Sequence, residues 1–348
     1  MPKPEPCSRS LCLVLISFTE RGFYCAQGDF YIDPWKPVPR AVITHAHADH
    51  SYRGHGHYLA HHISGPVMRL RLGADISLET LEYGEKRYIN GVELSLHPAG
   101  HIPGSAQVRV AYKDEVWVIS GDYKTEDDGL CTPFEPVRCT HFVTESTFGL
   151  PLFRWRPQEE IFSEMLQWIG GLAAEGRNAF IHAYSLGKAQ RLIRALHRHG
   201  VPILVHGSVR NTNKALLEAG LDIPNPPTVS AQQHIAPGTV IIAPASASES
   251  NWTKRFEPFG EGAASGWMAL RGTRRWMNAE RGFALSDHAD WDGLRAAVLA
   301  TGATNVFVTH GYAALFSRFL TEVHGLNAQV VRTSFTGESA DMREEETS

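Results

Sequence analysis

The sequence predicts an α/β protein in which alternating strands and helices interrupt a chain otherwise built from short strands. Three observations carry this expectation. Short apolar stretches bounded by glycine, proline or aspartate recur from Gly22 to Ser120. From about residue 156 to residue 243, helical and strand-like spacings alternate. After about residue 280, strand-like stretches that end in histidines return.

In chain order, the apolar run Leu11 to Phe18 comes first. A membrane-spanning helix takes about 20 apolar residues, so this run is too short. Lys3 and Arg9 precede it as in a signal peptide, but no small-residue cleavage site follows. It reads as a first strand after a proline-rich leader. Gly22-Phe23-Tyr24 and Asp29-Phe30-Tyr31-Ile32 form a hairpin around Gln27-Gly28. Ala41 to Thr44 is a short strand running straight into histidines, and Val92 to Leu96, Ala106 to Tyr112 and Val116 to Ser120 are further strands. Lys113-Asp114-Glu115 turns between the last two. Pro157 to Leu172 has apolar residues at helical spacing (Ile161, Met165, Trp168, Ile169), with Pro157 and two glutamates where a helix begins. Strands at Asn178 to His182, Pro202 to His206 and Thr239 to Ala243 then alternate with helices at Lys188 to His199 and Asn211 to Ala219. That alternation is the mark of a parallel sheet. Pro224 to Pro227 is a loop. Phe283-Ala284-Leu285 leads into Ser286-Asp287-His288, and Asn305 to Thr309 leads into His310.

Composition narrows the function. With 43% hydrophobic and 20% charged residues in a chain of 348, this is ordinary soluble-enzyme composition, long enough for two domains. No membrane partner is expected. The net charge of -4 gives no support to nucleic-acid binding through bulk charge, so any phosphate attraction must come from local patches or bound metal. The five cysteines form no C-x-x-C pair and read as reduced thiols of a cytoplasmic protein. Eighteen histidines are a surplus, and histidine both ligates metals and moves protons near neutral pH.

Position gives that surplus a meaning. In Thr44-His45-Ala46-His47-Ala48-Asp49-His50, extended backbone sends His45 and His47 to one side, where both can face one cation. A turn directly afterwards brings Asp49 and His50 round to a second. Imidazole and carboxylate together suit zinc or a similar divalent ion. His101, in Gly100-His101-Ile102-Pro103-Gly104, and Asp122, in Ser120-Gly121-Asp122, each follow a strand that would deliver them to the same place. His55, His57, His61 and His62 lack a ligand pattern and are read as non-ligands.

This H-x-H-x-D-H motif, with its later histidine and aspartate, resembles the metallo-β-lactamase superfamily. The resemblance implies that His45, His47 and His101 hold one metal, that Asp49 and His50 hold the other, and that Asp122 bridges them. It also implies two divalent ions, zinc or alternatively manganese. Asp33, in Ile32-Asp33-Pro34-Trp35, matches an upstream aspartate that orients the motif, which makes it a hydrogen-bond partner of a ligand. Thr144-Glu145-Ser146-Thr147, Ser286-Asp287-His288-Ala289-Asp290 and Thr309-His310-Gly311 resemble three further motifs of the β-CASP nucleases in that superfamily. The implied fold is an α/β metallo-β-lactamase αββα sandwich over residues 18–150 and 276–340, with an α/β β-CASP domain inserted at 151–275. The segments around Gly28 to Trp35 and Leu285 to Trp291 look most like the bacterial ligase-associated DNA exonucleases. That resemblance implies a role in DNA repair and a functional association with an ATP-dependent DNA ligase.

The implied chemistry is attack on a phosphodiester by a hydroxide activated between two metals, with Asp49 in the catalytic set. His288, oriented by Glu145, would protonate the leaving oxygen; a neighbouring carboxylate favours the imidazolium a general acid needs. His310 would complete the second metal site. A histidine there is usual in RNA-directed members, so an RNA-processing nuclease stands as the alternative to a DNA exonuclease. A thioester or lactam hydrolase would explain the ligands but leaves the insertion without purpose. Arg271, Arg274 and Arg275, interleaved with Trp267 and Trp276, read either as a single-strand channel or as a solvated basic face over core tryptophans. Ser185 and Lys188, between a strand and a helix, are candidates for phosphate contact at a helix N-terminus.

Overall fold

The computed structural model describes residues 14–228, 235–247, 252–270 and 279–334. Its first sheet has six strands in sequence order: β1 (Ile16–Thr19), β2 (Gly22–Cys25), β3 (Phe30–Ile32), β4 (Arg40–Val42), β5 (His57–His61) and β6 (Leu78–Leu81). The first three are antiparallel and the last three join in parallel. β1 opens at Ile16, so the expected strand from Leu11 begins later than its apolar run; residues up to 13 lie outside the described residues.

The second sheet has seven strands. β7 (Lys86–Ile89), β8 (Val92–Pro98), β9 (Ala106–Tyr112) and β10 (Glu115–Ile119) form an antiparallel meander. β11 (His141–Thr144), β17 (Asn305–Val308) and β18 (Asn327–Val330) extend it in parallel beyond β10. Side chains alternate across it with period two. Val92, Leu94, Leu96, Val108, Val110, Trp117, Ile119 and Val143 join Ile16, Phe23, Phe30 and Ile32 of the first sheet in one core. The opposite face of this sheet, through Val118, Phe142, Val306 and Val308, packs under two helices, Trp291–Thr301 and Ala313–His324.

The third sheet is wholly parallel, in the order β13 (Ile203–Val205), β14 (Val240–Ala243), β12 (Asn178–His182), β15 (Phe259–Ala264), β16 (Arg281–Phe283). The expected alternation from residue 156 is this unit. Its last strand lies beyond the expected boundary at residue 275. Helix α2 (Gln158–Ala174) buries Ile161, Met165, Ile169 and Leu172 against the sheet, one residue per turn. Helix α3 (Lys188–Arg198) buries Leu192, Ile193 and Leu196 on the same core. Helix α4 (Gly207–Glu218) starts earlier than expected because His206 caps it, its ring accepting from Ser208 N. Its Ala215 and Leu216 meet helix α1 (Ser64–Leu72) and strands β4 and β5 in a further core, which joins the third sheet's unit to the first sheet.

The sequence reading passed over α1 and the two helices near the C-terminal end. The Trp291–Thr301 helix, α5, carried readable signals: Asp290 accepts from Gly293 N at 2.8 Å, and Gly302 ends the helix at φ 67°. The Ala313–His324 helix, α6, likewise ends on a left-handed glycine, Gly325. Among the described residues no helix is long and apolar enough to cross a membrane. Cys25, Cys131 and Cys139 are free thiols.

Candidate metal centre

The parallel strands decide where the motifs meet. β10, β11 and β17 run the same way, and the antiparallel step through β9 points β8 in that direction too. Their C-terminal ends therefore share one edge, and the chain leaving β8, β10, β11 and β17 carries His101, Asp122, Glu145 and His310 respectively. Loops after strand ends are where open α/β sheets assemble sites. From the facing sheet, the segment after β4 carries His45 to His50, and His50 N and Ser51 N both donate to the His47 carbonyl in the expected turn.

The side chains converge. His101 Nε2 lies 3.2 Å from His47 Nδ1. Asp122 Oδ2 is 3.8 Å from His45 Nε2, 4.0 Å from His101 Nε2 and 3.5 Å from His50 Nε2. Asp49 Oδ2 is 3.6 Å from His50 Nε2, and His310 Nδ1 is 3.3 Å from Asp122 Oδ1. His45, His47 and His101 form one group of ligand atoms mutually within 4.8 Å, and His45, His50 and Asp122 form another. Donors about 2.0–2.1 Å from a tetrahedral zinc stand about 3.3–3.4 Å from one another. The spacings match that requirement.

Unmet polar atoms support the same reading. His45 Nε2 and Asp49 Oδ1 are buried without a hydrogen-bond partner, a costly state unless something else satisfies them. Burial, with neighbouring histidines adding to it, holds the His45 and His101 imidazoles well below the usual histidine range. They stay neutral and keep a lone pair for a cation. Burial alone would lower His50 too, but Asp49 and Asp122 beside it outweigh burial and raise it well above that range. Burial likewise pushes the Asp122 carboxyl up, and His50 and His310 overcome it to leave it well below its ordinary value. A proton on His50 thus stands where negative charge has gathered, and a cation would displace it. The donor set fits divalent metal.

Asp33 lies beside the centre. It is buried, and its carboxylate accepts from Thr44 N at 2.8 Å, from Thr44 Oγ1 at 2.5 Å and from His50 Nδ1 at 2.7 Å. Glu145 is likewise buried. His288 Nδ1 lies 2.9 Å from both its carboxylate oxygens, and Tyr123 N donates to Oε1 at 2.8 Å. His288 also stands with His101 and Asp122 in a group of ligand-spaced atoms, so it borders the centre. His310 adopts φ 56°, and Ser146 Oγ donates to its carbonyl and to that of Thr309.

Not every candidate faces the site. Lys188, expected to meet phosphate, is fully buried; its Nζ sits 3.3 Å from Asp287 Oδ2 and over the Tyr184 ring. A buried carboxylate holds it inward, so that expectation is corrected. Ser185 Oγ is 2.9 Å from Ser208 Oγ and lines a cavity of about 580 Å³ beside His47, with Tyr184, His206, Ser208 and Asn211. Arg271, Arg274, Arg275 and Trp276 lie outside the described residues. Trp267 packs on Phe148 and Phe153. Of the histidines read as non-ligands, His55 Nδ1 accepts from Val38 N and His57 Nδ1 meets Ser77 Oγ. His61, His62 and the largely exposed Glu82 bring ligand-type atoms within 4.8 Å of one another, apart from the centre.

The contacts that sequence reading missed are made by main chain. The Leu186 carbonyl meets His47 Nε2 at 3.2 Å, and the Asp287 carbonyl meets His101 Nδ1 at 2.8 Å. A carbonyl carries no residue signature, so no sequence signal marked them. The Asp287 carboxyl is pushed up by burial, yet Lys188 and Arg191 outweigh this and hold it at about 2.

Known proteins resemble this chain at two levels. The chain matches no family model. A protein of Opitutus terrae described as a probable DNA ligase is 27% identical over 312 residues, covering 89% of this chain and 30% of that protein. Ribonuclease TTHA0252 of Thermus thermophilus is 29% identical over 199 residues, covering 49% of this chain and 45% of its own length. The chain thus spans less than half of either relative. A crystal structure of an Enterococcus faecalis protein of unknown function shares the fold at a TM-score of 0.54 and 10% identity, over 77% of this chain and 74% of that one. The homologues of this chain are thus nucleases of the metallo-β-lactamase/β-CASP kind, together with a probable DNA ligase.

Proposed function

We propose that the protein is a metal-dependent nuclease that hydrolyses phosphodiester bonds, with DNA as substrate and an exonucleolytic role in DNA repair. One observation carries the reading: His45, His47, Asp49, His50, His101, Asp122 and His310 converge from two facing sheets, His45 Nε2 and Asp49 Oδ1 among them buried without a hydrogen-bond partner, and the Glu145–His288 pair adjoins them. His45, His47 and His101 would hold one ion, and Asp49, His50 and His310 the other, with Asp122 shared. Two divalent cations, zinc or manganese, would supply Lewis acidity toward phosphate and acidify a water at neutral pH.

The chain's own groups do the rest. Asp33 takes the His50 Nδ1 proton into a hydrogen bond, which turns the other ring nitrogen toward the centre. Glu145 fixes His288 through Nδ1 and leaves Nε2 to pass a proton to the leaving sugar oxygen. The cavity beside His47 supports action at a strand end, being within the size range of small-ligand sites.

We read the layers as an αββα sandwich: α1 on the outer face of the first sheet, two facing sheets, and α5 and α6 on the outer face of the second, with α4 of the parallel-sheet unit packed beside α1. The shared cores support this. The β-CASP unit is then an insertion, and membership of β16 in its sheet supports moving the boundary from 275 to about residue 283. Resemblance to a probable DNA ligase supports functional association with such a ligase, and the free cysteines support a cytoplasmic setting. A second reading, RNA processing, is favoured by His310 beside Asp122 and by the ribonuclease relative.

The test uses end-labelled DNA and RNA of one sequence, with 5′-phosphate or 5′-hydroxyl, across Zn²⁺, Mn²⁺ and Mg²⁺. Metal-dependent DNA degradation that Asp122→Ala abolishes is expected. Preference for RNA would replace the first reading by the second, and thioester hydrolysis without nucleic-acid cleavage would overturn both.

A further inference from the structure

Behind the ligands lies a buried charge cluster that the mechanism does not use. Lys188 and Arg191, on the first turns of α3, are both buried. They reach the two carboxylate oxygens of Asp287, Lys188 Nζ at 3.3 Å from Oδ2 and Arg191 Nη1 at 3.2 Å from Oδ1. Arg191 Nη1 also donates to the Ser286 carbonyl at 2.6 Å, while its Nε and Nη2 donate to Gln158 of α2 at 3.1 and 2.9 Å. The parallel-sheet unit thus grips residues 286–287 from two helices.

The gripped segment works on the metal centre. The Asp287 carbonyl meets His101 Nδ1 at 2.8 Å, and the Leu186 carbonyl, two residues before Lys188, meets His47 Nε2 at 3.2 Å. A carbonyl only accepts, so each ring nitrogen facing one carries the proton. The other nitrogen of each neutral ring then bears the lone pair. Those other nitrogens, His101 Nε2 and His47 Nδ1, are the two that face each other 3.2 Å apart. Gly187 lets the loop pass this close: its φ is +90°, and a Cβ there would collide with Ile102 Cγ2, next to His101.

Stability alone does not explain the cluster. Burying an ion pair costs desolvation, and apolar replacements of equal volume are often neutral or stabilising. We propose that Asp287 is a positioning residue: the Lys188–Asp287–Arg191 cluster holds its carbonyl on His101 and, with the Leu186 carbonyl on His47, sets the tautomer and aim of two ligands of one ion. The inserted unit is thereby part of the metal site. The inference rests on the two-metal reading above.

The test titrates the metal-stripped full chain with Co²⁺, following stoichiometry and affinity by equilibrium dialysis and the visible absorption of bound cobalt. Asp287→Asn is expected to weaken one of the two ions about 10–100-fold, the range for lost outer partners, and to shift its band while the other ion binds as in wild type. Should Asp287→Asn not fold, Lys188→Met decides by the same readouts, because Arg191 still neutralises Asp287 in that variant; a loss of about tenfold at one ion is expected. Affinities within twofold of wild type and superimposable spectra in a folded variant would overturn the proposal. Wild-type protein that binds no Co²⁺ would overturn the metal-centre reading and this one with it, so the two failures are distinct.

Discussion

Replacing Glu145 by Gln separates proton delivery from metal binding. The carboxylate is buried, bonds His288 Nδ1 at 2.9 Å through both oxygens, and accepts from Tyr123 N at 2.8 Å. Glutamine keeps one oxygen for Tyr123 N, and loses the charge that holds His288 together with the second oxygen, which accepts from Thr147 N at 3.4 Å. One charged hydrogen bond lost costs about 1.5–3 kcal/mol of stability, against a total of about 5–15 kcal/mol for a typical domain, so the variant folds. General acid catalysis contributes about 10²–10⁴-fold, or about 2.7–5.4 kcal/mol of barrier. Cleavage of an oligonucleotide should fall by that factor in Glu145→Gln and in His288→Ala, with metal content unchanged. The decisive comparison is bis(p-nitrophenyl) phosphate, whose phenolate leaves without being protonated. On that substrate the loss should stay below about tenfold. Equal losses on both substrates would refute His288 as the acid and Glu145 as its support.

Three further outcomes follow from the same contacts. Asp33→Asn removes the charged acceptor of His50 Nδ1 and should weaken one metal ion about 10–100-fold; competition with a chromophoric chelator measures it, and unchanged affinity counts against Asp33 as an orienting group. Stripping metal should lower Tm by about 5 °C or more, since an ion at 100 times its Kd contributes about 2.7 kcal/mol and each kcal/mol moves Tm by about 2–4 °C in domains of this order of size. Scanning calorimetry with and without chelator reads it, and a shift under about 1 °C would argue against a buried centre. Gly311→Ala puts a Cβ 2.5 Å from Thr147 Cα and against the Ser146 carbonyl, at φ +57°. It should cost more than about 1 kcal/mol and depress activity by moving His310 and Glu145 apart; wild-type stability in denaturant would contradict the packing at this turn.

The ligands were readable because their code is local. His45 to His50 are close in sequence, and an extended segment followed by a turn brings them together, although Asp33 and the Leu186 carbonyl then set how the His50 and His47 rings turn. The parallel unit was readable because strand and helix periods differ and α2 buries Ile161, Met165, Ile169 and Leu172 at helical spacing. Helix α1 was not, because its apolar positions do not gather on one side of SGPVMRLRL, and it is held instead by contacts with α4 far along the chain.

Residue type and spacing picked out His45, His47, Asp49, His50, His101 and Asp122 as candidate ligands, while Asp33, His310 and the Glu145–His288 pair came from resemblance to known motifs. Tertiary structure decided everything that depends on which strand ends share an edge and which way a side chain turns. Lys188 looked like a phosphate contact until Asp287, distant in sequence, drew it inward. The carbonyls of Leu186 and Asp287 became partners of His47 and His101 only through folding. The physical reason is that every residue but proline offers the same backbone donor and acceptor, so their use is set by position in space and leaves no trace in side-chain identity.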